Sequence, residues 1–200
     1  VSGMVRAVSE AGLRGKLAKS VMDCGEGLPT IWQKTMQEEL DQQVDDLKKF
    51  HNTADGRVQI WFGLRTIFNN TDDLIVRTKE LADQYRVGVH MHVAEAKSEI
   101  EYTKEVYGEP TVTHLHRLGV LDKNLLAVHT VWLTNEEVDL FKKYDVKVSH
   151  NPASAMRVLG FAKIPQMLDK KICVSIGTDG ASSSNRMDMV DEMWLTSLIH

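Results

Sequence analysis

GVHMHVAE, residues 88–95, is the stretch whose reading decides the fold. It alternates, so Val89, Met91 and Val93 would point to one side of a strand and His90 and His92 to the other. The apolar set suits a strand packed on both faces. The two imidazoles then need partners. A metal ion is one candidate, and satisfied hydrogen bonds inside a core are the other; an HxH pair alone does not choose between them. Glu95 follows three residues after His92, which is an unusual strand ending.

On the N-terminal side, residues 57–65 (RVQIWFGLR) read as a strand and residues 16–23 (KLAKSVMD) as another. Between them, a glycine-containing loop (CGEGLPTIW) leads into a helix expected over residues 33–50. Met36, Leu40, Val44, Leu47 and Phe50 recur there at helical spacing and read as core contacts. Asn69, Asn70 and Thr71 offer a cap for the helix that precedes the histidine strand. Asp72 and Asp73 fill its first turn, where the helix dipole favours acids.

On the C-terminal side, residues 98–107 and 112–118 read as helices, with His114 and His116 on the surface of the second. Residues 125–132 (LLAVHTVW) form a strand. TNEE at 134–137 has capping-box spacing and starts a helix. Strands at 146–151 (VKVSHN) and 172–180 (ICVSIGTDG) follow, separated by a helix over residues 164–170, and a last helix begins after Asp188. Cys173 reads as packed within its strand, and Cys24 lies in a loop.

Six short strands alternating with helices mean βα units and a parallel sheet. Polar residues gather at the carboxyl ends of these strands: Asp23, Arg65, His92 with Glu95, His129, Ser149 with Asn151, and Thr178 with Asp179. In a (β/α)8 barrel of the TIM type, that end is the active-site face. Six units leave about two of eight to be supplied, so the expectation is a partial barrel domain over residues 1–200 that contributes strands 3 to 8. Helical patterns already under way at residue 1 and still running at residue 200 suggest a fragment.

Composition narrows the class. Hydrophobic residues make up 42% and charged residues 26%, with a net charge of −4, as in a globular protein without a nucleic-acid footprint. No apolar run reaches the roughly 18 residues of a membrane helix. Two distant cysteines exclude a disulfide framework and favour a reducing, cytoplasmic compartment. No GxGxxG turn or GKS/GKT loop points to a nucleotide cofactor.

His92, Glu95, His129 and Asp179 each close a strand or sit just past one, so a barrel would bring them to one mouth. Imidazole nitrogen and carboxylate oxygen suit Zn²⁺, with Fe²⁺ as the alternative. A single divalent ion there would bring a bound water to a pKa near 7, and an adjacent carboxylate would move protons between that water and the substrate. The equipment is that of metal-assisted hydrolysis or deamination.

HVAE (92–95), AVHTVWLT (127–134), VSHNPAS (148–154) and GTDGASSSN (177–185), in this order, resemble the amidohydrolase superfamily. The branch most similar holds the S-adenosylhomocysteine/methylthioadenosine deaminases, with guanine deaminase and triazine hydrolases as relatives. The resemblance implies that His92 is a metal ligand and that Glu95 protonates a ring nitrogen of the substrate. It implies that His129 stabilises the attacking hydroxide and the tetrahedral centre. Asp179 would be both a metal ligand and the acceptor of the water proton, Ser183 would face the substrate, and His90 would be an inward neighbour rather than a ligand.

Two departures stand out. The family's other two ligands form an HxH pair on the first barrel strand, whereas the only histidine here before His90 is His51. This chain would then carry half of the ligand set, His92 and Asp179. At the fourth barrel strand the adenosine-type deaminases have a PHAPY-like segment; here FGLRTIF puts Arg65 where its histidine would stand. A guanidinium there would bind a carboxylate, a phosphate or a carbonyl edge of the substrate, or serve as a structural ion-pair partner.

The expected activity is hydrolytic deamination of a purine- or nucleoside-type heterocycle: metal-bound hydroxide adds to the C–NH2 carbon and ammonia leaves. One alternative is hydrolysis of a cyclic amide, or of another leaving group on a triazine or pyrimidine ring. Another is a metal-free relative that only binds ligand, against which the intact His92, His129 and Asp179 argue. The expected partner is a small heterocyclic substrate, with neither nucleic acid nor membrane, and homo-oligomerisation is left open.

Overall fold

The computed structural model describes residues 1–25 and 28–200; Glu26 and Gly27 of the CGEGLPTIW loop lie outside the described residues. The chain divides into two compact units, residues 1–91 and 92–200. Among the described residues there are six β-strands, and the paired neighbours run parallel.

The first unit opens with α1 (Ser2–Glu10) and β1 (Gly15–Val21). After α2 (Met36–Phe50) come β2 (Val58–Leu64), α3 (Asp72–Tyr85) and the start of β3 (Val89–Val93). β1 pairs with β2 from Gly15↔Val58 to Val21↔Leu64, and β2 pairs with β3 from Phe62↔Val89 to Leu64↔Met91. Phe62, Leu64, Leu74, Ile75 and Met91 are all buried, and each contributes roughly 1.5–3 kcal/mol by leaving water. Gly63 allows β1 and β2 to approach: a Cβ there would stand 2.3 Å from the Lys19 carbonyl oxygen.

α2 begins at Met36 rather than at residue 33. Thr35 and Glu38 form a capping box, with Glu38 Oε2 accepting from the Thr35 N–H at 2.8 Å and Thr35 Oγ1 accepting from the Glu38 N–H at 3.3 Å. The preceding residues Thr30–Trp32 form a 3-10 turn instead. α3 is capped by Thr71, as its sequence leads one to expect. Asp23, at the end of β1, accepts from both the N–H and the hydroxyl of Thr71. That strand-end carboxylate therefore serves the cap of α3.

The second unit takes the end of β3, then α4 (Lys97–Tyr107), α5 (Thr111–Arg117) and β4 (Leu125–His129). It continues through α6 (Asn135–Tyr144) and β5 (Lys147–His150) to the short α7 (Pro152–Ser154), which runs into a π-helical turn, Ala155–Leu159. α8 (Ile164–Asp169), β6 (Val174–Ile176), α9 (Ala181–Ser184) and α10 (Met189–Ile199) complete it. β4 pairs with β5 (Val128↔Ser149) and β5 with β6 (His150↔Ile176). Val112, Leu115, Phe141, Val148 and Met167 form its buried centre. No helix among the described residues is long and apolar enough to cross a membrane.

Two expectations fail here. His114 is fully buried rather than on the surface. Its ring stacks on Tyr107 at 3.8 Å between centroids, and its Nδ1 lies 2.8 Å from Arg117 Nη2 and 3.3 Å from Glu109 Oε1, so polar partners compensate its removal from water. Cys173 is exposed rather than packed. β6 is shorter than its apolar run, and its two-residue period puts Cys173 on the same exposed face as Ser175, opposite the buried Ile172.

Candidate active site

The site assembles in the second unit, where three strand ends turn sharply. Ala94 after β3 (φ 51°), His129 with Thr130 at the end of β4 (φ 71° and 53°) and Asp179 after β6 (φ 57°) all take the left-handed conformation. None is glycine, so each costs about 1–2 kcal/mol that the surroundings must offset. Clustering of such residues at strand ends is a mark of function.

The surroundings are explicit. Thr130 N–H donates to the Val93 carbonyl at 3.1 Å, and Trp132 N–H to the Ala94 carbonyl at 2.9 Å. On the other side of the β3 turn, Glu99 accepts from the N–H groups of Ala94 (2.7 Å) and Glu95 (2.9 Å). β3 itself shows the predicted alternation, with Val89, Met91 and Val93 buried and His90 and His92 half-buried.

His129 is the centre of the group. Its Nε2 lies 3.5 Å from Glu95 Oε2 and 3.9 Å from Asp179 Oδ2. Both separations are longer than an ordinary hydrogen bond and within ion-pair range. The ring of His92 stacks beside it, 5.3 Å between centroids at 22°. His129 is 2% exposed, while the side chains of Glu95 and Asp179 keep 24% and 21%. The imidazole is thus enclosed and the two carboxylates are open to a ligand.

The other face of His129 meets Asn151, whose amide is 3.2 Å from Nδ1. With its oxygen turned to the ring, the amide nitrogen donates to the carbonyls of His150 (3.3 Å) and Gly177 (3.2 Å), and all three contacts are satisfied. Gly177 makes room for it, since a Cβ there would stand 2.4 Å from the end of the amide that points toward Gly177. The Asn151 oxygen then accepts from the Nδ1–H of His129, and Nε2 is the nitrogen that faces the acids.

Asp179 is held as a carboxylate. Burial pushes its pKa upward, but the Ser154 hydroxyl at 2.7 Å, the Gly180 N–H at 2.6 Å, the nearby His129 and the Ser183 hydroxyl together bring it below the usual aspartate value. The short helix α7 that carries Ser154 is tied to α10: the buried Glu192 accepts from the Ala153 N–H at 2.9 Å.

The sequence-derived candidates therefore distribute unevenly. Glu95, His129 and Asp179 stand together, His92 stacks on His129, and Ser183 reaches Asp179. Arg65 directly follows β2 in the first unit, is exposed, and donates its backbone N–H to Val21 at 3.1 Å. His51 is the C-cap of α2 and accepts from the Ile60 N–H at 3.1 Å, a structural duty. Glu99 and Glu192 carry no sequence signal, because isolated glutamates read as surface residues, and Ser154 is marked only by its place in the VSHNPAS stretch. Asn151 is marked only by its place at a strand end.

The donors of His92 and Asp179, imidazole nitrogen and carboxylate oxygen, are a pair that suits Zn²⁺. Among the described residues no group of three or more His, Cys, Asp or Glu side chains is placed to hold a metal ion.

Comparison with known proteins agrees across the whole chain. Residues 1–200 match the Amidohydrolase family. A 5'-deoxyadenosine deaminase of Methanobrevibacter smithii is 34% identical over 197 residues, covering 98% of this chain and 44% of that protein. A 5-methylthioadenosine/S-adenosylhomocysteine deaminase of Desulfitobacterium hafniense is 35% identical over 191 residues, covering 95% and 42%. The crystal structure of an adenosine deaminase from Xanthomonas campestris with bound zinc superimposes with a TM-score of 0.89 at 26% identity, covering 98% of this chain and 43% of its own. The chain thus spans less than half the length of the relatives it matches.

Proposed function

The chain belongs to the amidohydrolase family, and from that premise we propose that the protein it comes from is a hydrolytic deaminase of adenine-type nucleosides. Residues 1–200 would form part of its metal-dependent barrel domain. The observation that carries the reading is the approach of Glu95 and Asp179 to the same nitrogen of His129. The matched 5'-deoxyadenosine and methylthioadenosine/S-adenosylhomocysteine deaminases supply the substrate class.

In this reading water replaces the exocyclic amine of the adenine ring and ammonia leaves. His92 and Asp179 would hold a zinc ion, as the zinc of the related adenosine deaminase suggests. Such an ion, when bound, acidifies water and neutralises developing negative charge. Asp179, already ionised, accepts the proton that water gives up as its oxygen bonds to the carbon bearing the amine. Glu95 gives a proton to the adjacent ring nitrogen, so negative charge does not accumulate on the ring. His129, held from behind by Asn151, orients the oxygen at the tetrahedral carbon. The proton on Asp179 then passes to the amine, the C–N bond breaks with its electron pair leaving on neutral ammonia, and the hydroxyl proton lost as the carbonyl forms returns to the Glu95 carboxylate, which restores both acids.

Ser183 would contact substrate. A cytoplasmic setting suits the two free cysteines, Cys24 and Cys173.

The test is product release by the zinc-loaded full-length protein: ammonia from 5'-deoxyadenosine, 5'-methylthioadenosine, S-adenosylhomocysteine and guanine, and chloride from a chlorotriazine. Turnover of the adenine nucleosides in preference to the other two is expected. Turnover confined to guanine or the triazine, or no turnover at all, would overturn the assignment.

A further inference from the structure

We propose that Glu99 is a positioning residue for this reaction: it fixes the backbone of Ala94 and Glu95 so that the Glu95 carboxyl meets the substrate ring nitrogen. The inference rests on the proton-donor role given to Glu95 above.

Glu99 is the third residue of α4 and is completely buried. Its Oε1 accepts from the Ala94 N–H at 2.7 Å and from the Thr111 hydroxyl at 2.9 Å, and its Oε2 accepts from the Glu95 N–H at 2.9 Å. Both oxygens are thus committed to donors.

Two other glutamates occupy the same helical position and show what that position ordinarily does. Glu38 in α2 and Glu137 in α6 each reach back to the N–H of their own cap residue, at 2.8 and 2.9 Å, while the cap threonine accepts in return. The cap of α4 is Ala96, which has no side-chain acceptor. Glu99 reaches past it to the two residues before, the left-handed Ala94 and the proton donor itself.

The other side of this turn is held by the Thr130 and Trp132 N–H groups on the carbonyls of Val93 and Ala94. The peptide units leading to Glu95 are therefore clamped from both faces, by β4's end and by Glu99. Neutral glutamine at 99 can accept at one oxygen only, and its NH2 would confront an N–H donor. Burial also raises the Glu99 carboxyl to about 7, so a carboxylate is a costly choice for a helix cap of no other use. A proton donor displaced by about 1 Å loses on the order of 10²-fold in rate.

The experiment is a double-mutant cycle on the full-length zinc-loaded protein with 5'-deoxyadenosine, comparing wild type, Glu99→Gln, Glu95→Gln and the double variant. Glu99→Gln is expected to lower kcat about 100-fold with KM changed less than about threefold. In the Glu95→Gln background the same substitution should cost less than about threefold, because the group it positions is already gone. Equal losses on both backgrounds, or an unchanged kcat in Glu99→Gln, would overturn the proposal. If Glu99→Gln does not fold, Thr111→Val removes one partner of Oε1 and should show a smaller kcat loss, again absent in the Glu95→Gln background; equal losses would again overturn it. A wild type that deaminates no adenine nucleoside refutes the function itself, whereas an active wild type with additive losses refutes only the role of Glu99.

Discussion

Asn151 stands behind His129, its amide 3.2 Å from Nδ1, on the side of the ring away from Glu95 and Asp179. With its oxygen toward the ring, the amide accepts from Nδ1–H. It also ties the end of β5 to the end of β4 at His129 and, through the amide's donation to the Gly177 carbonyl, to the residue that follows β6. Asn151→Leu should lower kcat by about 10–100-fold, the usual cost of removing a group that orients a site histidine. Asn151→Asp keeps an acceptor for Nδ1 but loses both donations to carbonyls, and should fall between wild type and Asn151→Leu. Steady-state deamination by the full-length variants gives the order.

Glu99 should leave a signature in the pH dependence of stability. Its folded pKa is about 7 against an ordinary 4.5, with burial as the main cause. Between those values the folded state holds a proton that the unfolded state has released, so stability falls as pH rises from 4.5 to 7. The full contribution is on the order of 3 kcal/mol. Denaturant unfolding of wild type and Glu99→Gln across this window should show the stability of the wild type relative to the variant falling as pH rises.

His150 should give the opposite slope. Burial, with a smaller effect of His200, lowers its folded pKa to about 4 from 6.5. Its Nε2 faces His200 Nε2 at 3.1 Å, and its Nδ1 is buried without a hydrogen-bond partner among the described residues. Between pH 6.5 and 4 the unfolded state binds a proton that the folded state does not, so stability falls as pH is lowered through this window. In His150→Gln that loss should disappear, again read as the difference from wild type.

Gly63→Ala should destabilise the first unit. The new methyl would lie 2.3 Å from the Lys19 carbonyl oxygen, a backbone atom that moves only with β1 itself. A loss of about 1–3 kcal/mol is expected from the overpacking, measured as a lower denaturant midpoint with an unchanged slope.

Much of the fold is legible in local pattern. The alternation of residues 88–95 becomes β3 with its predicted faces, and TNEE becomes the capping box of α6. Glu95, His129 and Asp179 could be picked out because each is polar at the end of an apolar run. Partnerships across the chain are not written locally. His114 looks exposed by helical spacing, yet Tyr107 covers it from the preceding helix. Ser154 sits in a short helix that passes into a π turn, which hydrophobic periodicity does not foretell, and only the fold brings it 2.7 Å from Asp179. Glu99 is hidden for a related reason: a glutamate in the first turn of a helix ordinarily faces water, and its burial follows from the left-handed turn at Ala94.

The most direct test of the central claim is Glu95→Gln in the zinc-loaded full-length protein, assayed for ammonia release from 5'-deoxyadenosine. The wild type should deaminate the nucleoside. The variant should retain zinc and bind the nucleoside while losing about 10²–10⁴-fold in kcat, the range of a general acid. A variant that turns over at the wild-type rate would contradict the account, because the carboxyl that meets His129 would then have no part in the reaction.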